Sequence, residues 1–308
     1  MVYSLFREWK GAFFMPQQRK ADLALVMVTL FWGVSYYLVD LCLEELQPMN
    51  LNAFRFLLAF LVLAPIFRKK LRHISRATLT YSLIIGTLLV GVYAGATYGV
   101  ANTSISNAGF ICALPVVFTP LLDFVFNRRR PDRKLGIALV LCTVGLALLT
   151  LNEAFRPASG DLICLICAVC YAADMLVTER AVKSPEVDAL ALGVCQLGAA
   201  GVLMLLVSAV VERPHLPQSP KIWGAAIFLG LFCSGVAFVV QAVAQQYTTA
   251  SHVGVIFTLE PVFSCIVAFA FAGEKLLPRG YAGAALMLLS LLIIEGNWSS
   301  LFKKKQAT

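Results

Sequence analysis

The residues of this chain that could bind a small solute are isolated acids within long apolar segments. Asp174 and Glu260 are two such acids, and Glu260 stands directly before Pro261. A charged side chain deep in a membrane costs about 2.5–3.5 kcal/mol on insertion scales, so each acid needs a reason to be there. Either carboxyl group could accept a solute ammonium group or carry a proton. Alternatively, Glu260 bonds backbone groups loosened by the proline, and Asp174 pairs with a donor on a neighbouring helix.

Aromatic and amide side chains recur at helical spacing in the same kind of segment. Trp32 and Tyr36 are four residues apart, as are Tyr93 and Thr97, and this spacing places each pair on one helix face. Such faces, turned inward, predict a cavity with aromatic walls for a flat or cationic organic solute. The alternative is ordinary helix packing together with aromatic belts at the membrane interfaces. The complete predicted solute site comprises Trp32, Tyr36, Tyr93, Thr97, Tyr98, Tyr171, Asp174, Gln241 and Glu260.

The elements that carry these residues are long apolar runs. The chain of 308 residues is 59% hydrophobic and only 14% charged, whereas soluble domains are roughly 25% charged. Apolar runs of about 18 or more residues are typical of membrane-spanning helices. We predict ten spans, at 22–42, 50–67, 77–101, 104–126, 134–151, 160–178, 187–210, 221–246, 250–272 and 279–294. The expected fold is therefore an all-α integral membrane protein in contact with the lipid bilayer.

Positive charge is concentrated at one set of helix ends. Most of the 25 Lys and Arg residues lie at the ends that are cytoplasmic if the N-terminus is cytoplasmic, including those in 68–76, 128–134 and 303–305. The positive-inside rule thus accounts for the net charge of +8 without a nucleic-acid partner. We expect a multi-pass protein of the plasma membrane with both termini in the cytoplasm.

Two proline-bearing segments repeat one pattern in the two halves of the chain. The first has Ser106-Asn-Ala-Gly-Phe-Ile before Leu114-Pro115, and the second has Ser251-His-Val-Gly-Val-Ile before Glu260-Pro261. Pro115 and Pro261 are expected to break their helices. Because five spans per half is an odd number, the second copy must enter the membrane the other way up. Inverted repeats of this kind place a binding site near the midplane and permit rocking between two openings.

Several short motifs resemble the EamA-type branch of the drug/metabolite transporter superfamily. They are Phe31-Trp-Gly-Val-Ser, Arg55, and Thr258-Leu-Glu-Pro-Val followed by Gly273-Glu-Lys. The resemblance implies two five-helix EamA-type repeats at 22–151 and 160–295. A lead-in at 1–21 without a cleavable signal, a linker at 152–159 and a basic tail at 296–308 would complete the chain. Leu114 stands where the second half has Glu260, which departs from a symmetric pair of carboxylates.

The resemblance implies a carrier that exports or imports small organic metabolites, amino acids among them. We predict a secondary or facilitative exporter that works by alternating access around the midplane cavity. No G-x-x-x-x-G-K-[ST] loop is present, so the drive is the solute gradient or an ion, with Glu260 and Asp174 as the proton-coupling candidates. The alternatives are an organic-cation or drug efflux carrier, a channel, or a membrane-embedded enzyme that acts on lipid-linked substrates.

Neither a cofactor nor a metal is expected, and the protein is predicted not to be an enzyme. The three His residues are not paired with a nucleophile or a metal cluster. Cys164, Cys167 and Cys170 resemble a run of metal ligands, but no His or Cys in the adjoining loops completes a site, so we interpret them as packing groups. Arg55 is expected to extend to the interface or to cap a loop. The expected assembly is a monomer or a homodimer.

Overall fold

The computed structural model describes residues 17–100, 111–150, 159–272 and 278–295, and the regular structure in these ranges is helical. A single turn, Arg68–Leu71, follows the second helix. The other helices are α1 (Gln17–Cys42), α2 (Pro48–Ile66), α3 (Arg76–Val100), α4 (Pro115–Asn127), α5 (Arg133–Thr150), α6 (Ser159–Val182), α7 (Ala189–Val211), α8 (Pro220–Ala244), α9 (Ala250–Phe257), α10 (Leu259–Ala272) and α11 (Pro278–Glu295).

Six helices of the described ranges, α1 to α3 and α6 to α8, are long and apolar enough to cross a membrane, and shorter apolar helices accompany them. Large apolar side chains such as Leu61, Val125 and Val210 are exposed on the outside of the bundle. Lipid contact accounts for this exposure, because a soluble protein rarely leaves so much apolar surface uncovered. The predicted all-helical membrane class is confirmed. Ten spans and an inverted repeat stay predictions, since residues 101–110 and 273–277 lie outside the description.

The helix starts follow from local sequence. Asp188 precedes α7, and its Oδ1 accepts hydrogen bonds from the backbone nitrogens of Leu190 and Ala191, each at 3.0 Å. Ser219 caps α8, whose first residue is Pro220, and Thr249 caps α9. A proline is well tolerated in the first turn because the nitrogen there has no helical acceptor. These caps fix where the chain re-enters the bundle.

The first and second halves of the chain pack against each other in a similar pattern. Helix α1 packs against α8 and α10, while α6 packs against α3 and α4. Helix α2 packs against α7 and α8, α7 also packs against α3, and α5 packs against α11. The main core lies where α1, α2, α7, α8 and α9 meet.

Glycines permit the close approach of α3 to α6 and α7. A Cβ atom added at Gly95 would lie 2.7 Å from the backbone nitrogen of Cys167, and one added at Gly86 would lie 2.7 Å from the Cβ of Ala199. Real Cβ atoms do not approach so closely, so a larger residue at either position would push the helices apart. Small residues serve the same purpose at many membrane helix interfaces.

Both prolines of the repeated pattern lie next to interruptions of a helix. Pro115 is the first residue of α4, directly after a turn at 113–114. Pro261 is in the first turn of α10, and Thr258 separates α9 from α10. The preceding half of the first pattern, Ser106 to Phe110, lies outside the described residues.

Candidate solute-binding site

The centre of the bundle holds a cluster of aromatic rings around Trp32 of α1. The indole centroid lies 4.7 Å from the ring of Phe257, 5.8 Å from Phe238 and 6.2 Å from Tyr171. Tyr171 and Phe257 are stacked, with centroids 6.1 Å apart and planes inclined by 13°. Helices α1, α6, α8 and α9 therefore each supply a ring, and Trp32 is only 6% exposed. We refer to these four residues as the ring cluster.

A distortion of α8 orients Trp32. Residues Leu229–Val236 of this helix are π-helical, and the indole Nε1 donates a hydrogen bond of 2.8 Å to the backbone oxygen of Cys233. A π-helical turn changes the direction of the carbonyl groups and frequently marks a functional position. The distortion thus gives the buried indole an acceptor that a regular helix would keep for itself.

A polar network borders the ring cluster on its α6 side. The amide nitrogen of Gln241 lies 3.4 Å from Asp174 Oδ2 and 3.4 Å from Gln245 Oε1, while the Tyr171 hydroxyl donates to Gln241 Oε1 at 3.5 Å. Gln245 in turn donates to the backbone oxygen of Met175 at 2.8 Å. The bonds around Gln241 are long, so this amide holds its neighbours weakly.

Asp174 has unused bonding capacity. Its side chain is 1% exposed, and its Oδ1 atom has no hydrogen-bond partner among the residues the structure describes. A buried acceptor without a donor destabilises the fold, because it has lost its bond to water without a replacement. Asp174 is therefore suited to accept a donor from a bound solute or to hold a proton.

A second arm of the site extends from Phe238 to α2 and α3. The ring of Tyr93 lies 6.5 Å from that of Phe238 and 5.0 Å from that of Phe56. The guanidinium carbon of Arg55 lies 5.3 Å from the Tyr93 centroid and 5.9 Å from the Phe56 centroid. Its Nε donates to the hydroxyl of Ser234 at 2.7 Å. These contacts bring a cation to the edge of the aromatic centre.

The expectation that Arg55 extends to the interface is wrong. Its side chain is only 3% exposed and turns into the bundle towards α8. Position along the span suggested an interfacial residue, but the close passage of α2 over Gly230 of α8 covers it. Arg55 is thus a candidate site residue that the sequence analysis missed, although its occurrence inside an apolar segment was the available signal.

The remaining predicted site residues lie in different surroundings. Thr97 donates its hydroxyl to the backbone oxygen of Tyr93, one turn earlier in its own helix. Tyr98 lies at the end of α3 and donates to Glu212 Oε1 at 3.0 Å. Glu260 is half-buried in the first turn of α10, near enough to Tyr93 and Tyr171 to interact electrostatically with both. The side chain of Tyr36 lies outside the described residues.

The structure therefore brings together Trp32, Tyr93, Tyr171, Asp174 and Gln241 of the predicted site, with Glu260 close by. Tyr98 is separated from them, because it belongs to a network at one end of the bundle. That network is organised by Glu212, which also accepts the backbone N–H groups of Met49 and Asn50 at the start of α2. Its bonds join the ends of α3 and α7 to the beginning of α2.

The same end of the bundle is also tied at Glu45, the third residue after α1 ends. Its carboxylate accepts the backbone N–H groups of Gln218 and Ser219 at 2.8 and 3.2 Å. Hydrogen bonds from the Ser219 side chain and the Gln218 backbone lower the pKa of Glu45. The ionised form is therefore favoured, and it links α1 to the start of α8.

Glu179 of α6 links helices at the opposite end of the bundle. This buried carboxylate accepts the backbone N–H of Ala250 at 2.7 Å, Arg129 Nη1 at 3.0 Å and the ammonium group of Lys183. Two clefts of about 370 and 320 Å³ adjoin this end, and Lys183 borders both. Sequence analysis gave Glu179 no role, because Arg129 and Ala250 are far from it in the chain.

The cysteine run of α6 lies within the helix packing. In the part of the chain that the structure describes, no three His, Cys, Asp or Glu residues are grouped to hold an ion. Cys164 and Cys167 are buried in the helix packing, and Cys170 is half-buried beside Gly91.

Sequence comparison identifies the family. The profile of the EamA-like transporter family matches residues 19–151 and 158–296. The chain belongs to this family. An uncharacterized transporter of Archaeoglobus fulgidus is 27% identical over 275 residues, which cover 89% of this chain and 85% of the relative. YwfM of Bacillus subtilis, also an uncharacterized transporter, is 23% identical over 89% of this chain and 93% of its own.

The uncharacterized inner membrane transporter YedA of Escherichia coli is 23% identical over 88% of this chain and 89% of its own length. The crystal structure of another protein superimposes on this chain with a TM-score of 0.74. The match covers 94% of this chain and 99% of the other, at 18% sequence identity. That likeness concerns the fold alone. The family and the named relatives are transporters rather than enzymes, and this EamA-like protein is accordingly a multi-pass membrane transporter.

Proposed function

We propose that this protein exports small organic metabolites such as amino acids as a secondary or facilitative transporter, by alternating access around the ring cluster. The observation that carries the proposal is the buried Asp174 oxygen without a partner, next to aromatic rings from four helices. A polar acceptor surrounded by apolar rings fits the usual composition of a small-molecule site. Membership of a transporter family makes a carried solute the natural ligand.

We further propose that 22–151 and 160–295 form two inverted five-helix repeats with both termini in the cytoplasm. The reciprocal packing supports this, because α1 contacts α8 and α10 as α6 contacts α3 and α4. In this arrangement Trp32 and Tyr171 would be equivalent, because each lies ten residues after an Asp-Leu pair, and their ring centroids are 6.2 Å apart. A pseudo-twofold axis near these two rings would place the solute site at the midplane, as in other transporters built from such repeats.

In this proposal the Glu179 network and the Glu212 and Glu45 contacts are the closures at the two ends. Each joins helix ends through a few charged or polar hydrogen bonds that can break without unpacking the apolar core. Opening one end at a time would admit the solute from one side only. Asp174 and Glu260 are the groups whose protonation would couple this exchange to a proton gradient.

Solute counterflow in proteoliposomes tests the proposal. Vesicles preloaded with unlabelled amino acids should accumulate the labelled amino acid transiently, and empty vesicles should not. Trp32→Ala should abolish this accumulation, whereas Trp223→Phe should preserve it, since Trp223 packs on Phe54 near the start of α8. Flux that does not saturate and is equal in preloaded and empty vesicles would indicate a channel and refute the carrier.

Asp174→Asn tests proton coupling separately. If Asp174 carries the proton, the variant should still perform counterflow but should no longer respond to an imposed pH gradient. Wild-type transport that is unchanged without a gradient would show that no proton is coupled.

A carrier of organic cations is the second candidate, and the same acid favours it. Asp174 is joined through Gln241 to Tyr171 of the ring cluster. An acid close to aromatic rings is the combination that binds ammonium groups by charge and by cation–π attraction. In this case tetraphenylphosphonium should compete with amino acids in counterflow and should be transported itself.

A further inference from the structure

Arg55 is a buried cation whose charge is not neutralised by direct contact with a carboxylate among the residues that the structure describes. Its side chain is 3% exposed, and its one hydrogen bond to a described residue uses Nε and the neutral hydroxyl of Ser234. No carboxylate of a described residue forms an ion pair with it, in contrast to Arg129, which pairs with Glu179. A buried charge without a counter-ion is costly, and such residues inside membrane spans commonly lie on solute pathways.

The two aromatic rings beside Arg55 offset only part of this cost. Tyr93 and Phe56 present their faces to the guanidinium at 5.3 and 5.9 Å. Aromatic faces attract a cation but supply no hydrogen-bond acceptors in its plane. Arginine carries five N–H donors in a planar fork, so the terminal amino groups keep the geometry that matches a carboxylate.

The position of Arg55 relative to Asp174 defines the length of the site. Ser234, Phe238 and Gln241 follow each other along one face of α8. Ser234 contacts Arg55, Phe238 belongs to the ring cluster, and Gln241 contacts Asp174. Ser234 and Gln241 are seven residues apart, which corresponds to about 10 Å along a helix. One face of α8 therefore presents a cation at one end, apolar rings in the middle and an acid at the other end.

We infer that Arg55 binds a carboxylate of the transported solute, so that the carrier selects carboxylate-bearing metabolites over simple organic cations. The inference rests on the proposed transport function and deepens it by naming the solute class. Ser234 binds Nε and leaves the terminal amino groups for the solute carboxylate. The apolar body of the solute lies against the rings, and Asp174 accepts a donor at the far end.

Matched probe pairs that differ only in the carboxylate test the inference. L-Tryptophan with tryptamine, L-phenylalanine with phenethylamine, L-leucine with isoamylamine and L-lysine with cadaverine form such pairs. Each probe is measured for counterflow and for thermal stabilisation of the purified protein. The wild type should transport at least one amino acid of the set with an affinity about 10- to 100-fold higher than that of its amine, the range expected for hydrogen bonds to a charged group.

Arg55→Gln should remove that preference, because the affinity for the amino acid should fall by the same factor while the affinity for the amine stays the same. Ser234→Ala should give a smaller loss in the same direction, and Arg55→Lys should retain part of the preference because it keeps the charge without the planar fork. The exposed Arg72→Gln is the control for a general charge effect, and it should resemble the wild type.

If Arg55→Gln does not fold, the Ser234→Ala and Arg55→Lys variants give the answer from the ratio of the two affinities. Equal weakening of both members of a pair would mean that Arg55 only supports the fold, and amines carried better than their amino acids would also overturn the inference. In both of these results the transport function stands. If neither an amino acid nor an amine is carried, the proposed function fails, and the inference fails with it.

Discussion

The closure at Glu179 gives the sharpest prediction about stability. This carboxylate joins α6 to the start of α9 through the N–H of Ala250, and it joins α6 to the segment after α4 through Arg129. Lys183, which directly follows α6 and lies four residues after Glu179, adds an ion pair. Glu179→Gln keeps the shape of the side chain and one acceptor oxygen but removes the charge, whereas Glu179→Ala removes every bond.

The expected loss of unfolding free energy in these variants follows from the burial of each contact. The side chains of Arg129 and Lys183 are 55% and 42% exposed, so solvent screens their attraction to Glu179, and each pair contributes about 0.2–1 kcal/mol. The bond from Ala250 is buried and ends on a charged oxygen, which is worth about 1.5–3 kcal/mol. We expect Glu179→Gln to cost about 1–2 kcal/mol, because the amide weakens that bond and loses both ion pairs, and Glu179→Ala to cost about 3 kcal/mol or more.

Unfolding in mixed detergent micelles measures these free energies. Glu186→Gln is the matched control, since Glu186 is exposed near the same end, and its cost should stay within about 0.5 kcal/mol. A double-mutant cycle with Lys183→Gln should give a coupling energy below about 1 kcal/mol. If Glu179→Gln is as mild as the control, the closure formed by Glu179 does not hold the helices together, and its assignment as a gate is refuted.

Two further predictions concern packing and pH. Gly95→Ala should destabilise the protein by about 1–3 kcal/mol, because the new methyl group overpacks the contact of α3 with α6. Gly224→Ala, whose methyl group meets nothing within 4 Å, should be neutral or stabilising by up to about 1 kcal/mol in the same melts. Burial alone would raise the pKa of Asp188, but the hydrogen bonds from Lys70 and the Ala191 backbone outweigh it and lower the pKa from 3.8. The ionised form therefore stabilises the fold above the pKa of the unfolded chain. This contribution is lost as the pH falls through the lowered folded value, so melting temperatures should decrease more steeply below pH 3.8 in the wild type than in Asp188→Asn. Equal slopes in the two proteins would contradict the assignment.

Some of this protein was predictable from one sequence, because the physics involved is local. Long apolar runs have few alternatives to membrane helices, since every backbone polar group must find its partner within the segment. The EamA-like motifs indicated the family because they are short and continuous in the chain. Tyr171 and Asp174 were both predicted to belong to the solute site, and the structure has both residues at the centre.

What the tertiary structure decided is which faces of the helices turn inward. Lipid is as apolar as the protein interior, so hydrophobicity does not distinguish the two sides of a membrane helix as it does in water. For that reason the sequence could not separate Tyr98, which bonds Glu212 at one end of the bundle, from Tyr93, which belongs to the candidate site. It could not bury Arg55 or give Glu179 its partners either. The contacts of Glu179 with Arg129 and Ala250 and of Arg55 with Ser234 join residues far apart in the chain. Only the packing of α2 on α8 and of α6 on α4 and α9 brings them together.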